Sequence, residues 1–358
     1  MGTNKKFDER KKMGLQSKFL TFNSKICITR QSEEYKNARK KDDSITEEIR
    51  KKFNEKGYPV QGDFIQGSLA TATAIKEKGK DFDIDRAIVI KEDDAPEDPT
   101  IPKKVVLDIL ENRGFKNAKI KKPCVTADYQ SEDLHIDIPI YSKSSTGFYK
   151  LAVGKKNSDE NNREWSESNP KGLIDWINAK DGSELYETEK LYQFRRLTRY
   201  LKRWRNVNFH EDTCGKVFSI GLTVMLKQKF QASINDEGLE NDLESLKKTL
   251  DQILDNSTYF EYKTENQWKV KVYLPVAPYR DIFSNSSLNT GTQLKNKLSS
   301  LRTTLQKVID ETVESKQCDL LRSVFGEDFP TSSQSNSKNE AAKVVFSSAG
   351  SVGTSQGA

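Results

Sequence analysis

Two segments with the two-residue period of a β-strand constrain this chain more than any other feature. Residues 134–141 read "LHIDIPIY". Leu134, Ile136, Ile138 and Ile140 fall on one face of such a strand, and His135, Asp137 and Tyr141 on the other. Residues 81–90 read "DFDIDRAIVI" and set Asp81, Asp83 and Asp85 at every second position. On a strand these carboxylates share one side. Like charges at that spacing repel unless water or a cation offsets them. The acids alone leave two readings open, a solvated strand end or a metal site. Asp137 favours the second. It sits on the polar face of an otherwise aliphatic strand, and if the two strands pair it comes beside Asp83 and Asp85. Three carboxylates at one place form a hard oxygen site suited to Mg²⁺ or Mn²⁺. Two such ions can clamp a triphosphate and an attacking hydroxyl for in-line displacement.

A short distance upstream lies "QGSLATAT", residues 66–73. Gly67 allows close backbone approach. Free N–H groups at a helix start and the Ser68 hydroxyl can hold a terminal phosphate. Read alone, Gly67-Ser68 is a turn, and no GKS or GKT follows to make it a P-loop. Further on, "LYQFRRLTRYLKRWRN" (191–206) carries Arg195, Arg199, Lys202 and Arg205 at spacings of four, three and three, with Arg196 and Arg203 nearby. That stripe is either a solvated basic face or a cradle for a triphosphate or nucleic-acid backbone. The 2 histidines are too few for a histidine-dependent mechanism. Cys27, Cys124, Cys214 and Cys318 are isolated, which reads as reduced thiols rather than a disulfide or zinc framework.

The 358 residues suffice for two domains. The spacing predicts a helix from Ser44, where Ser44-Ile45-Thr46-Glu47 forms a capping box and Ile45, Ile49 and Phe53 make the apolar stripe. Residues 1–43 are Lys-rich and partly helical, Val60 to Gln66 is extended, 91–102 is a Pro-containing loop, and 105–112 is helical. After Pro170 the pattern turns helical: Leu191 to Trp204, Leu239 to Ile253 and Leu294 to Val308 each carry a core-facing stripe. From Thr331 a Ser/Gly/Asn-rich tail follows. The expected fold class is therefore α+β, with a first unit over 1–170, a helical domain over 171–330 and a flexible tail over 331–358. The longest charge-free apolar stretch, Val217 to Leu226, is too short to span a bilayer and reads as a buried helix. A Lys-rich start without an apolar h-region makes a cytoplasmic location and no membrane contact the expectation.

The order Gly-Ser, Asp-x-Asp on a strand, then a third Asp on a later strand, resembles the polymerase-β-like nucleotidyltransferases. Within them the chain is similar to the CD-NTase family, bacterial relatives of cyclic GMP–AMP synthase and oligoadenylate synthase. "WSESNPKGLIDWIN", "LTRYLKRWRN" and "FGEDFP" resemble family segments in the same order, so the likeness runs from residue 66 to 330. It implies a nucleotidyltransferase core of mixed sheet and flanking helices, followed by an α-helical domain. It also implies that Gln66, Gly67 and Ser68 bind the donor triphosphate. Asp83, Asp85 and Asp137 would be the catalytic acids and ligands of two Mg²⁺ ions, with Asp137 helping to deprotonate the incoming hydroxyl. Lys202 and Ser219 would contact phosphate. Ala72 departs from the pattern, since relatives often carry Gly before the Thr that matches Thr73.

The activity so implied joins ATP, GTP or other NTPs into cyclic di- or trinucleotides for anti-phage defence. A protein or nucleic acid would act as activator. A ubiquitin-like ligase acting on Ala358 is a further implied partner, beside the reading of an end with no role. A linear transferase acting on RNA or a small-molecule hydroxyl would use the same three acids. An inactive nucleotide-binding scaffold is the third reading, and the complete set of acids with Ser68 counts against it.

Overall fold

The computed structural model describes residues 2–76, 82–129, 134–183, 185–255 and 258–332. Asp81 and nearly all of the tail expected over 331–358 lie outside them. Strand β1 (Val60–Ile65) pairs antiparallel with β2 (Phe82–Lys91). On its other side β2 runs parallel to β5 (Leu134–Ile138) and then to β6 (Ile140–Lys143). Asp85 faces Asp137 and Asp83 faces His135 in that ladder, which resumes in the same register with Ile88 opposite Ile140. The single strand expected over 134–141 is thus interrupted at Pro139. Proline has no N–H for the ladder, although its carbonyl still accepts from Ile88 N–H at 3.0 Å.

Antiparallel strands complete the mixed sheet. Strands β3 (Lys116–Ile120) and β4 (Val125–Tyr129) extend it beyond β5, and β7 (Tyr149–Val153) and β8 (Glu164–Ser168) extend it beyond β6. One face is covered by α2 (Glu33–Glu55) and by α4 (Thr100–Asn112), which follows β2. Ile45, Ile49 and Phe53 of α2 meet Val106 and Leu110 of α4 over Ile88, Ile90, Ile136, Ile138 and Ile140. These are the aliphatic positions that the two-residue period placed together.

Helix α1 (Gly2–Ile26) precedes α2, and α3 (Gly67–Ala70) is a single turn between β1 and β2. The later part holds α5 (Pro170–Asn178), α6 (Glu187–Asn208), α7 (Glu211–Cys214), α8 (Ser219–Lys229) and α9 (Asp242–Asp255). A small hairpin follows, β9 (Phe260–Tyr262) with β10 (Trp268–Val270), then α10 (Leu288–Asp310) and α11 (Glu314–Phe325). Their apolar stripes form one core that also takes in Leu15, Phe19, Phe22 and Ile26 of α1. The Phe19 ring packs edge-on against Phe325 and Phe329. No described helix is long and apolar enough to cross a membrane.

Three helix starts differ from expectation. Helix α4 begins at Thr100, so residues 100–102 of the expected loop form its first turn, where Pro102 leaves no intrahelical N–H unmet. Helix α2 begins at Glu33, where the Ser32 hydroxyl accepts from Tyr35 N–H at 3.3 Å. Ser44 therefore lies inside the helix. The charged residues before it favour helix through pairs one turn apart, Arg39 with Asp42 and with Asp43. Helix α9 begins at Asp242, because Asn241 caps it by accepting from Glu244 N–H at 3.1 Å. Leu239 is left outside the helix and half exposed.

Beside Asp85, on the opposite face of β2, Arg86 is buried. Its guanidinium donates to Asp42 through Nε at 3.0 Å, to Asp63 at 2.6 Å and to Asp43 at 2.9 Å. The network ties β2 to α2 and β1. An Arg86→Met substitution leaves the buried Asp42 carboxylate without its main counter-charge. It should cost about 3–5 kcal/mol, read as a lowered urea midpoint at unchanged slope.

Candidate active site

The tips of β2 and β5, the turn at Gln66–Thr73 and one edge of α6 and α8 enclose a cavity of about 1720 Å³. Gln66, Gly67, Ser68, Asp83, Asp85, Asp137, Lys202 and Ser219 all line it. The structure therefore gathers around one space every site residue singled out in the sequence.

Gly67 is required where it stands. Its φ is +64°, and a Cβ there would fall 2.1 Å from Oδ2 of Asp85. The turn consequently lies directly on the carboxylate. Gln66 N–H donates to the Asp85 carbonyl at 2.9 Å, and Tyr141 donates its phenol proton to Gln66 Oε1 at 3.1 Å. The turn closes through Thr73 N–H to the Ser68 carbonyl at 2.9 Å. Ala72, where the resemblance calls for Gly, takes φ +55°. A left-handed residue with a Cβ costs about 1–2 kcal/mol, so the surroundings must hold this conformation.

Helix α6 supplies that hold. Arg199 donates to the Ala72 carbonyl, and Lys202 Nζ donates to the Thr73 carbonyl at 3.0 Å and to Thr73 Oγ1 at 3.1 Å. Arg203 reaches the Lys76 carbonyl. The basic stripe is thus neither a solvated face nor a wholly open cradle. Arg196 is buried against Asp242, and Arg195 donates to Asn178 Oδ1 at 2.9 Å. Lys202 and Arg205 still line the cavity. Arg205 donates to Ser219 Oγ and, at 3.2 Å, to the Val217 carbonyl, so Ser219 arrives with a cation attached.

The acids are not equivalent. Burial pushes the Asp85 carboxyl up to about 7, with further push from the charges of Asp137 and Asp83. Burial also acts against ionised Asp137, but hydrogen bonding to His135 and Thr126, together with Lys121, holds it down at about 2. His135 is raised to about 9 by hydrogen bonding to Asp137 and Asp128, which outweighs its burial. Its Nδ1 lies 2.5 Å from Asp128 Oδ1, and its Nε2 lies 2.9 Å from Thr126 Oγ1 and 3.5 Å from Asp137 Oδ1. At neutral pH an imidazolium therefore stands behind the third acid. Sequence reading missed this role, because Asp128 and Thr126 join His135 only through β4–β5 pairing.

Among the described residues no three acidic, His or Cys side chains converge to ligating distance. The donor set nevertheless fits a hard divalent cation. Asp83, Asp85 and Asp137 offer carboxylate oxygens to one cavity, and their mutual repulsion adds to the burial that raises Asp85. That repulsion is the term a cation offsets.

A mixed sheet carrying two acids on one strand, a third on its parallel neighbour and a Gly-Ser turn against them defines the polymerase-β-like nucleotidyltransferase fold. Residues 13–181 match the family described as Second Messenger Oligonucleotide or Dinucleotide Synthetase domain. Cyclic GMP-AMP synthase of Escherichia albertii is 30% identical over 185 residues, covering 49% of this chain and 38% of that protein. The match spans well under half of that relative's length. Among solved structures, CdnC of E. coli MS115-1 with ATP aligns at TM-score 0.61 and 15% identity, over 88% of this chain and 98% of that one. CdnC has also been solved as a complex with HORMA-deltaN. DncV of Vibrio cholerae with nonhydrolyzable GTP aligns at 0.57 and 20% identity, over 76% and 70%. These likenesses show the fold.

The Asp85 carboxyl ionises at about 7 in the folded chain and near about 4 when unfolded. The folded state holds the proton more tightly, so ionisation opposes folding, by nothing below pH 4 and fully above pH 7. In chelator-treated protein, Asp85→Asn should raise Tm at pH 8 by about 2–4 °C. Differential scanning calorimetry should show the gain fading by about pH 5.

Proposed function

We propose that this chain is a metal-dependent nucleotidyltransferase that joins NTPs into cyclic di- or trinucleotide messengers. The carrying observation is the cavity itself. At about 1720 Å³ it exceeds the roughly 300–1,000 Å³ of a site for one drug-sized ligand. It has room for a donor and an acceptor nucleotide together, beside the acids.

In this reading Gln66, Gly67 and Ser68 seat the donor triphosphate, with Lys202 and Ser219 at its flank. Asp83, Asp85 and Asp137 would hold Mg²⁺ or Mn²⁺, which when bound would neutralise the triphosphate and acidify the attacking hydroxyl. The acceptor 3′- or 2′-hydroxyl attacks the α-phosphorus in line, its proton passes to Asp137 and pyrophosphate leaves. A carboxylate held at about 2 stays ionised across the physiological range but is a weak base by itself. The protein's own work is chiefly orientation and charge placement. A second attack, by the donor nucleotide's own hydroxyl on the α-phosphorus of the acceptor's remaining triphosphate, closes a dinucleotide ring and releases a second pyrophosphate.

The match over 13–181 and the name of the curated relative support cyclisation. The CdnC–HORMA complex supports an activating partner protein. We assign the product a signalling role in anti-phage defence in the cytoplasm. We propose a core over 1–170, a helical domain over 171–330 and a C-terminal segment over 331–358, whose Ala358 is the candidate for a ubiquitin-like ligase.

Incubation with labelled NTPs, Mg²⁺ and no acceptor should yield a phosphatase-resistant product whose mass gives base choice and ring size. Product that forms only when RNA is added would point to the linear transferase. Asp83→Asn with Asp85→Asn should cut product at least about 10³-fold with an unchanged circular dichroism spectrum. Undiminished product in that double variant would refute the site.

A further inference from the structure

Asp137 is held from behind by a turn whose Pro123 and Cys124 also line the cavity. The turn joins β3 to β4 and is closed by Lys121 N–H donating to the Cys124 carbonyl at 2.9 Å. Cys124, 6% exposed, donates its thiol proton to Asp137 Oδ1 at 3.3 Å. Lys121 Nζ lies 3.7 Å from the same oxygen. His135 Nε2, at 3.5 Å, is the third group on Oδ1. One oxygen of the acid is thereby committed to the protein, and the carboxylate as a whole still lines the cavity.

Below the turn lies Lys103 of α4, with 0% exposure. Its ammonium donates to the carbonyls of Lys121 at 2.8 Å, Lys122 at 2.9 Å, Ala152 at 3.3 Å and Gly154 at 2.7 Å. No carboxylate pairs with it among the described residues. Three N–H donors meet four acceptors, two from the turn and two from the end of β7, so the group is saturated. Gly154 N–H also donates to the Lys122 carbonyl at 3.0 Å. Stability alone is a poor reason for such a residue, since a well-packed apolar side chain usually serves a buried position as well as a buried charge does. An apolar side chain could not fix where the Lys121 and Lys122 carbonyls lie, and hence where Lys121 and Cys124 point.

We propose that the β3–β4 turn, pinned by Lys103, is the positioning element of the third acid, with Cys124 and Lys121 as the side chains that set the orientation of the Asp137 carboxylate. This rests on the reading of Asp137 as an acid at the reacting centre. A carboxylate on a strand otherwise samples several side-chain rotamers. Groups that orient a ligating carboxylate commonly cost about 10–100-fold in activity or metal affinity when removed.

The test is steady-state pyrophosphate release with Mg²⁺ varied at saturating NTP and NTP varied at saturating Mg²⁺. Cys124→Ala combined with Lys121→Met should lower kcat about 10–100-fold and raise the half-saturating Mg²⁺. The KM for NTP should stay within about twofold, because donor binding lies with the Gln66–Ser68 turn. Cys124→Ser, which keeps a donor, should recover most of the loss seen in Cys124→Ala. Lys103→Met should show the same kcat-against-KM split; if it does not fold, the Cys124 and Lys121 variants decide alone. A folded double variant with wild-type kcat and Mg²⁺ dependence overturns the proposal. So does a loss confined to thermal stability or to KM for NTP. An active Asp137→Asn variant would instead overturn the role given to Asp137.

Discussion

The parallel pairing of Asp85 with Asp137 is the constraint around which the rest is arranged. Two like charges are set side by side on neighbouring inner strands of the sheet, with Asp83 two residues away. Each neighbour moderates that arrangement differently. Asp85 is left high, crowded by its neighbours and capped by the Gly67 turn. Asp137 is held low, against its burial, by His135, the Thr126 hydroxyl and Lys121. Arg86, on the reverse face of the same strand, collects three carboxylates from α2 and β1 and fixes the height of β2. Adjacent residues of one strand thus serve charge separation on one face and charge pairing on the other.

Helix α6 shows how positive charge can shape a site through backbone carbonyls as well as line it. Arg199, Lys202 and Arg203 spend their donors on the carbonyls of Ala72, Thr73 and Lys76. The path of the Gly67–Thr73 turn, including the left-handed Ala72, therefore depends on a helix more than a hundred residues further along the chain. The sheet provides the acids, and the helical half shapes the turn that lies over them.

The sheet and the acids were legible in the sequence because the two-residue period is local. Ile136, Ile138 and Ile140 went to the core and Asp137 to the cavity as that period requires. The apolar stripes of α6 and α10 were legible for the same reason. Register and partners were not. Nothing near Lys103 announces four carbonyls, two from the β3–β4 turn and two from the end of β7, and His135 looked incidental because Asp128 reaches it only across β4–β5. Helix starts were misplaced where a good local signal, Ser44 or Leu239, competed with a better cap at Ser32 or Asn241. The basic stripe of α6 was visible, but its carbonyl partners lie far off in sequence.

Helix α1 closes the core built by the helices after residue 170. Phe19 and Phe22 stack among Tyr200, Phe325 and Phe329, and Lys18 donates to the carbonyls of Thr331 and Ser332. During synthesis α1 leaves the ribosome long before its partners exist. Its aromatic face stays uncovered while the sheet, whose contacts lie within the next hundred and fifty residues, can already assemble. Folding of the helical half then waits on a contact between segments more than three hundred residues apart, the kind of closure that slows folding most. A nascent chain of this protein would therefore carry a finished set of acids before the helix that shapes the turn above them has docked.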